Sequence, residues 1–118
     1  MNCWPVPIDE RAFRELDRAS RWERHDWVQV CDWLAEGSAQ VWNVNDEAFV
    51  LTLANNDNEI EVLMCGGKNA RANVPVWEAA MLSCPAHKGC TLRLEGRKGW
   101  RRYLPHWDYR DGVLTRKI

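Results

Sequence analysis

Residues 59–71 read EIEVLMCGGKNAR, and this stretch decides the class of fold. Its first seven residues alternate in polarity and predict a strand with Ile60, Val62 and Met64 on one face. A loop with two glycines follows, and the next two segments are typical of a helix and a second strand. Because a strand, helix and strand in one sheet form a right-handed crossover, this stretch predicts two parallel strands.

The segments downstream of the loop are bounded by asparagine, proline and glycine. We expect a helix over residues 74–84, with Asn73 as its cap and Pro75 in its first turn. The remaining expected segments are a strand over residues 90–95, a short helix over 99–106 interrupted at Pro105, and a last strand over 109–117.

The segments upstream of the loop predict two helices and then an antiparallel meander. After an extended start over residues 1–8, Asp9 caps a helix to Ala19 with Ala12, Phe13 and Leu16 on one face. A capping box over residues 20–23 opens a second helix, which ends at Gly37. Its expected buried stripe is Trp27, Val30, Cys31 and Leu34. Strands are expected over residues 39–44, 48–54 and 59–65, and the short polar turns between them make neighbours antiparallel.

This order of elements resembles the GNAT (Gcn5-related N-acetyltransferase) family over essentially the whole chain. The stretch GRKGWRRYLPHWDYR at 96–110 and the closing VLTRK at 113–117 look like the end of that family's fold, with Asp108-Tyr109 where Gly-Phe is usual. The resemblance is strongest to short, divergent GNAT-like proteins carried by bacteriophages. It implies an α+β fold with one GNAT-like domain over residues 1–118. In this fold a mixed sheet, an antiparallel meander plus one parallel βαβ pair, is flanked by helices.

The resemblance also implies a cofactor, acetyl-CoA, whose pyrophosphate binds at the loop before the third helix. The family's loop reads Gln/Arg-x-x-Gly-x-Gly/Ala, whereas residues 65–72 read CGGKNARA. The residues carried over to the cofactor are Gly66, Gly67, Lys68, Asn69, Ala70 and Arg71. Glycines before a helix allow close backbone approach to a phosphate, and a plain strand-to-helix turn is the alternative.

Two catalytic residues follow from the same resemblance. Glu61, near the expected cleft, is the candidate general base, and a solvated strand residue is the alternative. Tyr103 is the candidate general acid, one residue before the position of the family's tyrosine, which Leu104 occupies. Since one residue turns a helical side chain by about 100°, packing is the alternative role for Tyr103. The implied function is a GNAT-like N-acetyltransferase that uses acetyl-CoA on an unidentified amine. The alternative is a catalytically inactive GNAT-fold interaction protein or phage virion-associated protein.

Charge is divided unevenly along the 118 residues. Residues 1–87 hold 7 Lys or Arg and 14 Asp or Glu, while residues 88–118 hold 9 and 3. The basic end interleaves aromatic residues, a pattern typical of single-stranded nucleic-acid binding. The total net charge of −1 argues against a nucleic-acid partner, and mutual neutralisation of the two parts is the favoured interpretation. Eight Trp exceed the needs of a small core, so some are expected at the surface for a protein partner.

Cysteine usage and hydropathy indicate the compartment. Five Cys at irregular spacing are expected to be reduced thiols, which favours the cytoplasm, that of the host if a phage encodes the chain. The only metal alternative, zinc on Cys84, His87, Cys90 and Cys65, lacks the usual paired spacing, so no metal is expected. No apolar run approaches a membrane span, and no targeting signal is apparent.

Overall fold

The computed structural model describes residues 2–19, 26–96 and 98–118. Within these ranges the chain forms a seven-stranded sheet and three α-helices. The strands are β1 Cys3–Val6, β2 Ala39–Val44, β3 Ala48–Ala54, β4 Glu59–Gly67, β5 Thr91–Glu95, β6 Asp108–Arg110 and β7 Val113–Lys117. The α-helices are α1 Glu10–Ala19, α2 Trp27–Glu36 and α3 Ala70–Ser83, and 3₁₀-helices span Pro85–His87 and Lys98–Arg102.

The strands lie in the order β1-β2-β3-β4-β5-β7-β6, and β4 and β5 run parallel. Every other neighbouring pair is antiparallel. The predicted mixed sheet, with a meander followed by one parallel βαβ pair, is therefore confirmed. The physical cause is connection length, because β2, β3 and β4 are joined by short turns, whereas α3 carries the chain from β4 to β5.

Each face of the sheet carries its own core. On one face, α3 contributes Val74, Trp77 and Met81 to a cluster with strand residues and with the segment after β5. On the other face, Ala12 and Leu16 of α1 and residues of α2 cover β2, β3 and β4. We call these the α3 face and the α1 face. Among the described segments, no helix is long and apolar enough to cross a membrane.

The first two helices follow the predicted pattern with two corrections. Asp9 accepts a hydrogen bond from the Ala12 N–H at 2.8 Å, as expected of a cap. Phe13 was expected on the buried face of α1, but it is 42% exposed and its ring packs on Trp27. Cys31 was expected in the buried stripe of α2, but it is exposed. Trp33 of the same helix packs against the core of the α1 face.

The start and end of α2 are set by single residues. Asp26 accepts hydrogen bonds from the Val28 and Gln29 N–H groups and caps α2. The capping box expected at residues 20–23 lies outside the described residues. Gly37 ends the helix with φ +85°, the left-handed cap that the sequence predicts.

Three downstream predictions are wrong in their boundaries. The third helix begins at Ala70 rather than at residue 74, so Pro75 lies inside it and not in its first turn. The expected last strand over residues 109–117 is a hairpin of β6 and β7, with Asp111 and Gly112 both at positive φ in the turn. The short helix expected over residues 99–106 is the 3₁₀-helix Lys98–Arg102.

Candidate functional site

The pairing between β4 and β5 stops before β4 ends, which leaves a gap in the pairing in the middle of the sheet. The two strands pair from Glu59 with Thr91 to Val62 with Leu94, and their pairing stops there. β4 nevertheless continues to Gly67, paired with β3 on its other side. Ligands of open sheets bind beyond the carboxyl ends of strands, so this gap is the natural candidate site.

A β-bulge in β4 lies directly after Val62, the last residue of this strand that pairs with β5. Leu51 of β3 pairs with Met64 and the next residue, Thr52, pairs with Val62, which leaves Leu63 as an extra residue. The bulge reverses which side chains of β4 point to each face of the sheet. Ile60 and Val62, before it, pack on the α3 face, whereas Met64, after it, packs on the α1 face. The prediction that these three side chains share one face is therefore wrong.

Gly66 lies within β4 rather than in a loop, and its role is to admit α1. A Cβ at this position would lie 2.3 Å from the Glu15 carbonyl oxygen and 3.0 Å from the Ala19 Cβ. The absence of a side chain thus lets α1 pack directly on β4. The structure accounts for Gly66 by helix packing, with no phosphate required.

Gly67 also has a structural role. Its φ is +110°, and a Cβ there would lie 2.5 Å from the Glu47 carbonyl oxygen. The next residue, Lys68, donates its backbone N–H to that same oxygen at 2.9 Å. The Lys68 amide is therefore already paired, although it was predicted to belong to the phosphate site.

Asn73 does not cap α3. It links the start of this helix to the turn between β2 and β3 by hydrogen bonds. Its side-chain amide donates to the carbonyl oxygens of Lys68 and Asn69 at 3.2 and 3.1 Å. Its own oxygen accepts a hydrogen bond from the Asn45 side chain at 2.7 Å. Asn69, at φ +54°, occupies the cap position without a side-chain cap hydrogen bond. The turn between β2 and β3 thus fixes where α3 begins.

The start of α3 presents backbone donors and cations. The N–H groups of Ala70, Arg71 and Ala72 have no acceptor within the helix, because the first helical bond is from Asn73 to Asn69. Ala70 borders a groove of about 780 Å³ between α1, the β2–β3 turn and the end of β4. Arg11, Arg18 and Lys68 supply positive charge to this groove, and Glu15, Asp46 and Glu47 supply negative charge.

The charges at the outer wall of the groove are partly paired. Arg11 donates to Asp46 Oδ1 at 3.0 Å and to the Asp46 carbonyl oxygen at 2.9 Å. The hydrogen bond from Arg11 to Oδ1, a further one from Asn43 and the charge of Arg11 hold the pKa of Asp46 below its usual value. Lys68 makes no ion pair among the described residues, so its charge remains available to an anion.

The candidate base, Glu61, lies on the last part of β4 that still pairs with β5. Its carboxylate accepts a hydrogen bond from Arg93 at 3.0 Å, and Arg93 also contacts Glu95 at 2.5 Å. Both side chains are about a quarter exposed. The hydrogen bond that Arg93 donates to Glu95 and the charges of the nearby carboxylates raise the pKa of Arg93, so its guanidinium remains charged.

The candidate acid, Tyr103, lies on the opposite face of the sheet. It packs half-buried against the core of the α3 face, with its ring centroid 6.3 Å from that of Trp100. None of the hydrogen bonds found among the described residues involves its hydroxyl. Leu104, which the sequence resemblance aligns with the family's tyrosine, is 1% exposed and belongs to the core. Glu61 and Tyr103 therefore lie on opposite faces of the sheet.

Most of the described tryptophans and cysteines are buried or half-buried. Of the seven described tryptophans, Trp77 and Trp107 are buried and the other five are half-buried. The five cysteines are free thiols, and Cys31 is the exposed one. No three His, Cys, Asp or Glu side chains gather as a metal-ligand set in the described ranges.

Comparison with known proteins identifies the architecture. The sequence matches no protein-family model and no curated protein. The structure is similar to that of a Bacillus subtilis acetyltransferase crystallised with CoA, with a TM-score of 0.58, 11% identity, and coverage of 99% of this chain and 98% of that chain. It is also similar to Ard1 from Thermoplasma volcanium, with a TM-score of 0.59, 16% identity, and coverage of 98% and 95%. The strand order, the single parallel pair and these two likenesses together show that the chain has the GNAT fold.

Proposed function

We propose that this chain is an acyltransferase that uses acetyl-CoA to acetylate an amine. The observation that carries the proposal is the end of the β4–β5 pairing while β4 continues toward the amino end of α3. The gap can hold an extended thioester arm, and the unpaired amides of α3 can hold the phosphates at its end. The acetyltransferase crystallised with CoA has the same fold, which supports the same cofactor here.

The residues at the start of α3 fit a pyrophosphate better than the two glycines do. Ala70, Arg71 and Ala72 offer N–H groups at the positive end of the helix dipole, and Lys68 adds a cation beside them. Gly66 and Gly67 contribute indirectly, since they let α1 and the β2–β3 turn approach the loop. The proposed phosphate site is therefore centred on residues 70–72.

The proposed chemistry needs one proton removed from the amine and one delivered to the leaving sulfur. Bound acetyl-CoA supplies a thioester carbonyl carbon, to which the amine nitrogen bonds as the carbon–sulfur bond breaks. Glu61, on the α1 face, is the proposed acceptor of the amine proton, directly or through water. Tyr103, on the α3 face, is the proposed donor to sulfur. The hydrogen bond that Arg93 donates fixes the position of the Glu61 carboxylate.

Calorimetric titration with acetyl-CoA and desulfo-CoA tests the cofactor. We expect binding by the wild type and a loss of about 10- to 100-fold in Lys68→Glu, because a hydrogen bond to a charged group contributes about 1.5–3 kcal/mol. Arg110→Glu makes the same charge change on β6, away from α3, and is expected to bind as the wild type does. Equal affinities of all three proteins would place the phosphates elsewhere.

A non-catalytic GNAT-fold interaction protein, such as a phage virion-associated protein, is the second candidate. The observation that favours it is the state of the catalytic residues, with Glu61 engaged by Arg93 and Leu104 buried where the family has a tyrosine. A protein that binds acetyl-CoA but shows no thiol release with a panel of amines, and no change on Glu61→Gln, would support this second function. The irregular spacing of the five cysteines favours a reducing, cytoplasmic setting for either function.

A further inference from the structure

Arg71 and Trp100 are in contact beyond the carboxyl ends of β4 and β5. The guanidinium carbon of Arg71 lies 5.8 Å from the centroid of the Trp100 ring. Arg71 belongs to the first turn of α3, directly after β4, and Trp100 belongs to the 3₁₀-helix directly after β5. Since β4 and β5 are parallel, both residues lie at the same edge of the sheet, one on each side of the gap.

The Trp100 ring packs directly on the backbone of Gly96. A Cβ at Gly96 would lie 2.6 Å from Cδ1 and 3.0 Å from Nε1 of the Trp100 ring. The same Cβ would lie 3.2 Å from Leu94, which packs on the α3 face. The indole therefore rests on the backbone that continues β5, and it extends the core of the α3 face toward the gap.

For Arg71, by contrast, the ring is the side-chain partner found in the described part of the chain. Arg71 is exposed and makes no ion pair with any described residue. A cation–π contact at an exposed site is weak, with an effect of roughly two- to fivefold on an equilibrium. The contact can therefore be broken by any anion that binds the guanidinium more strongly than the ring does.

We propose that the Arg71–Trp100 contact closes the gap between β4 and β5, and that a phosphate-bearing ligand opens it by drawing Arg71 off the ring. The inference rests on the proposed function, because the phosphate it invokes is that of the acyl-CoA. A guanidinium forms short, bidentate hydrogen bonds to phosphate, and these are stronger than contact with an aromatic face. Trp100 is then a positioning residue that couples occupation of the phosphate site to access to the gap.

The test is the rate of CoA association, measured by stopped-flow for the wild type, Trp100→Leu and Trp100→Phe. In Trp100→Leu, Arg71 remains available to the phosphate but has no ring to rest on, so we expect association to be roughly two- to fivefold faster. Trp100→Phe keeps an aromatic face and should remain close to the wild type. The chain offers a matched control in Arg101, which lies 5.0 Å from the ring centroid of Tyr109, and Arg101→Ala should leave the rate unchanged.

The outcomes separate this inference from the proposed function. Binding by Trp100→Leu but not by the wild type would support closure in its strongest form. Binding by both with an equal or slower rate in Trp100→Leu would overturn the closure and leave the proposed function intact. A lack of binding by every variant, each shown to be folded by circular dichroism, would overturn the proposed function and this inference with it.

Discussion

A Cβ atom at Gly66 would lie 2.3 Å from the carbonyl oxygen of Glu15, so the backbone of α1 packs directly against β4. This contact brings one side of the groove beside α3 next to the end of β4, where Cys65 and Gly67 also line it. The glycine therefore acts on the site through packing, and its replacement tests the stability of the fold rather than ligand affinity.

Gly66→Ala is expected to destabilise the protein. The added methyl must displace the α1 backbone or bend β4, and overpacking of this kind costs about 1–3 kcal/mol of unfolding free energy. Urea denaturation followed by circular dichroism measures the loss. Gly99→Ala is the control, because a Cβ there meets only Arg71 Nη1 at 4.0 Å, and its change should stay within about 0.5 kcal/mol. Equal denaturation midpoints for wild type and Gly66→Ala would contradict the packing role.

Glu78→Ala is expected to lower the unfolding free energy by about 1–3 kcal/mol. Glu78 is 7% exposed, and its Oε2 accepts hydrogen bonds from Trp107 Nε1 at 2.6 Å and from Arg116. The substitution leaves the Trp107 N–H without an acceptor. Glu78→Gln retains an acceptor and should lose less. An Ala variant as stable as the wild type would show that the buried network contributes nothing net.

Cys3 is expected to be the least reactive thiol. Burial raises the pKa of Cys3 to about 11, so very little thiolate is present at pH 8, whereas Cys31 is exposed. Timed alkylation with iodoacetamide, followed by peptide mass spectrometry, gives the rate at each cysteine. Labelling of Cys3 in the native protein as fast as Cys31 would show that β1 does not bury it.

Asp46 is expected to titrate below its ordinary value of 3.8, mainly because Arg11 donates a hydrogen bond to it. A pKa lowered by folding stabilises the folded state above the unfolded pKa, and this stability is lost as the pH falls through the folded pKa. Because the pair is exposed, we expect the effect on stability to be small. Carboxyl titration by NMR should show the Asp46 pKa rising in Arg11→Ala and unchanged in Arg14→Ala, whose partner is Glu10. An unchanged Asp46 pKa in Arg11→Ala would contradict the assignment.

The sequence by itself determined the order and type of most elements. Alternating polarity marked β4, polar turns marked the meander, and Gly37 marked the end of α2, because each signal acts within a few residues of the structure it produces. The parallel pairing of β4 and β5 followed as well, since a helical crossover requires it. The region of the candidate site could be predicted from the same stretch of sequence.

Only the tertiary structure decided how the residues of that region are used. The bulge at Leu63 depends on the register with β3, and the start of α3 depends on the contact of Asn73 with Asn45, which lies 28 residues away. Gly66 and Gly67 look like a phosphate loop in the sequence, and the structure adds that a side chain at either would meet the backbone of Glu15 or Glu47. These facts could not be derived from local patterns, because each depends on which distant backbone comes within a few ångströms, and that is set by the packing of the whole sheet.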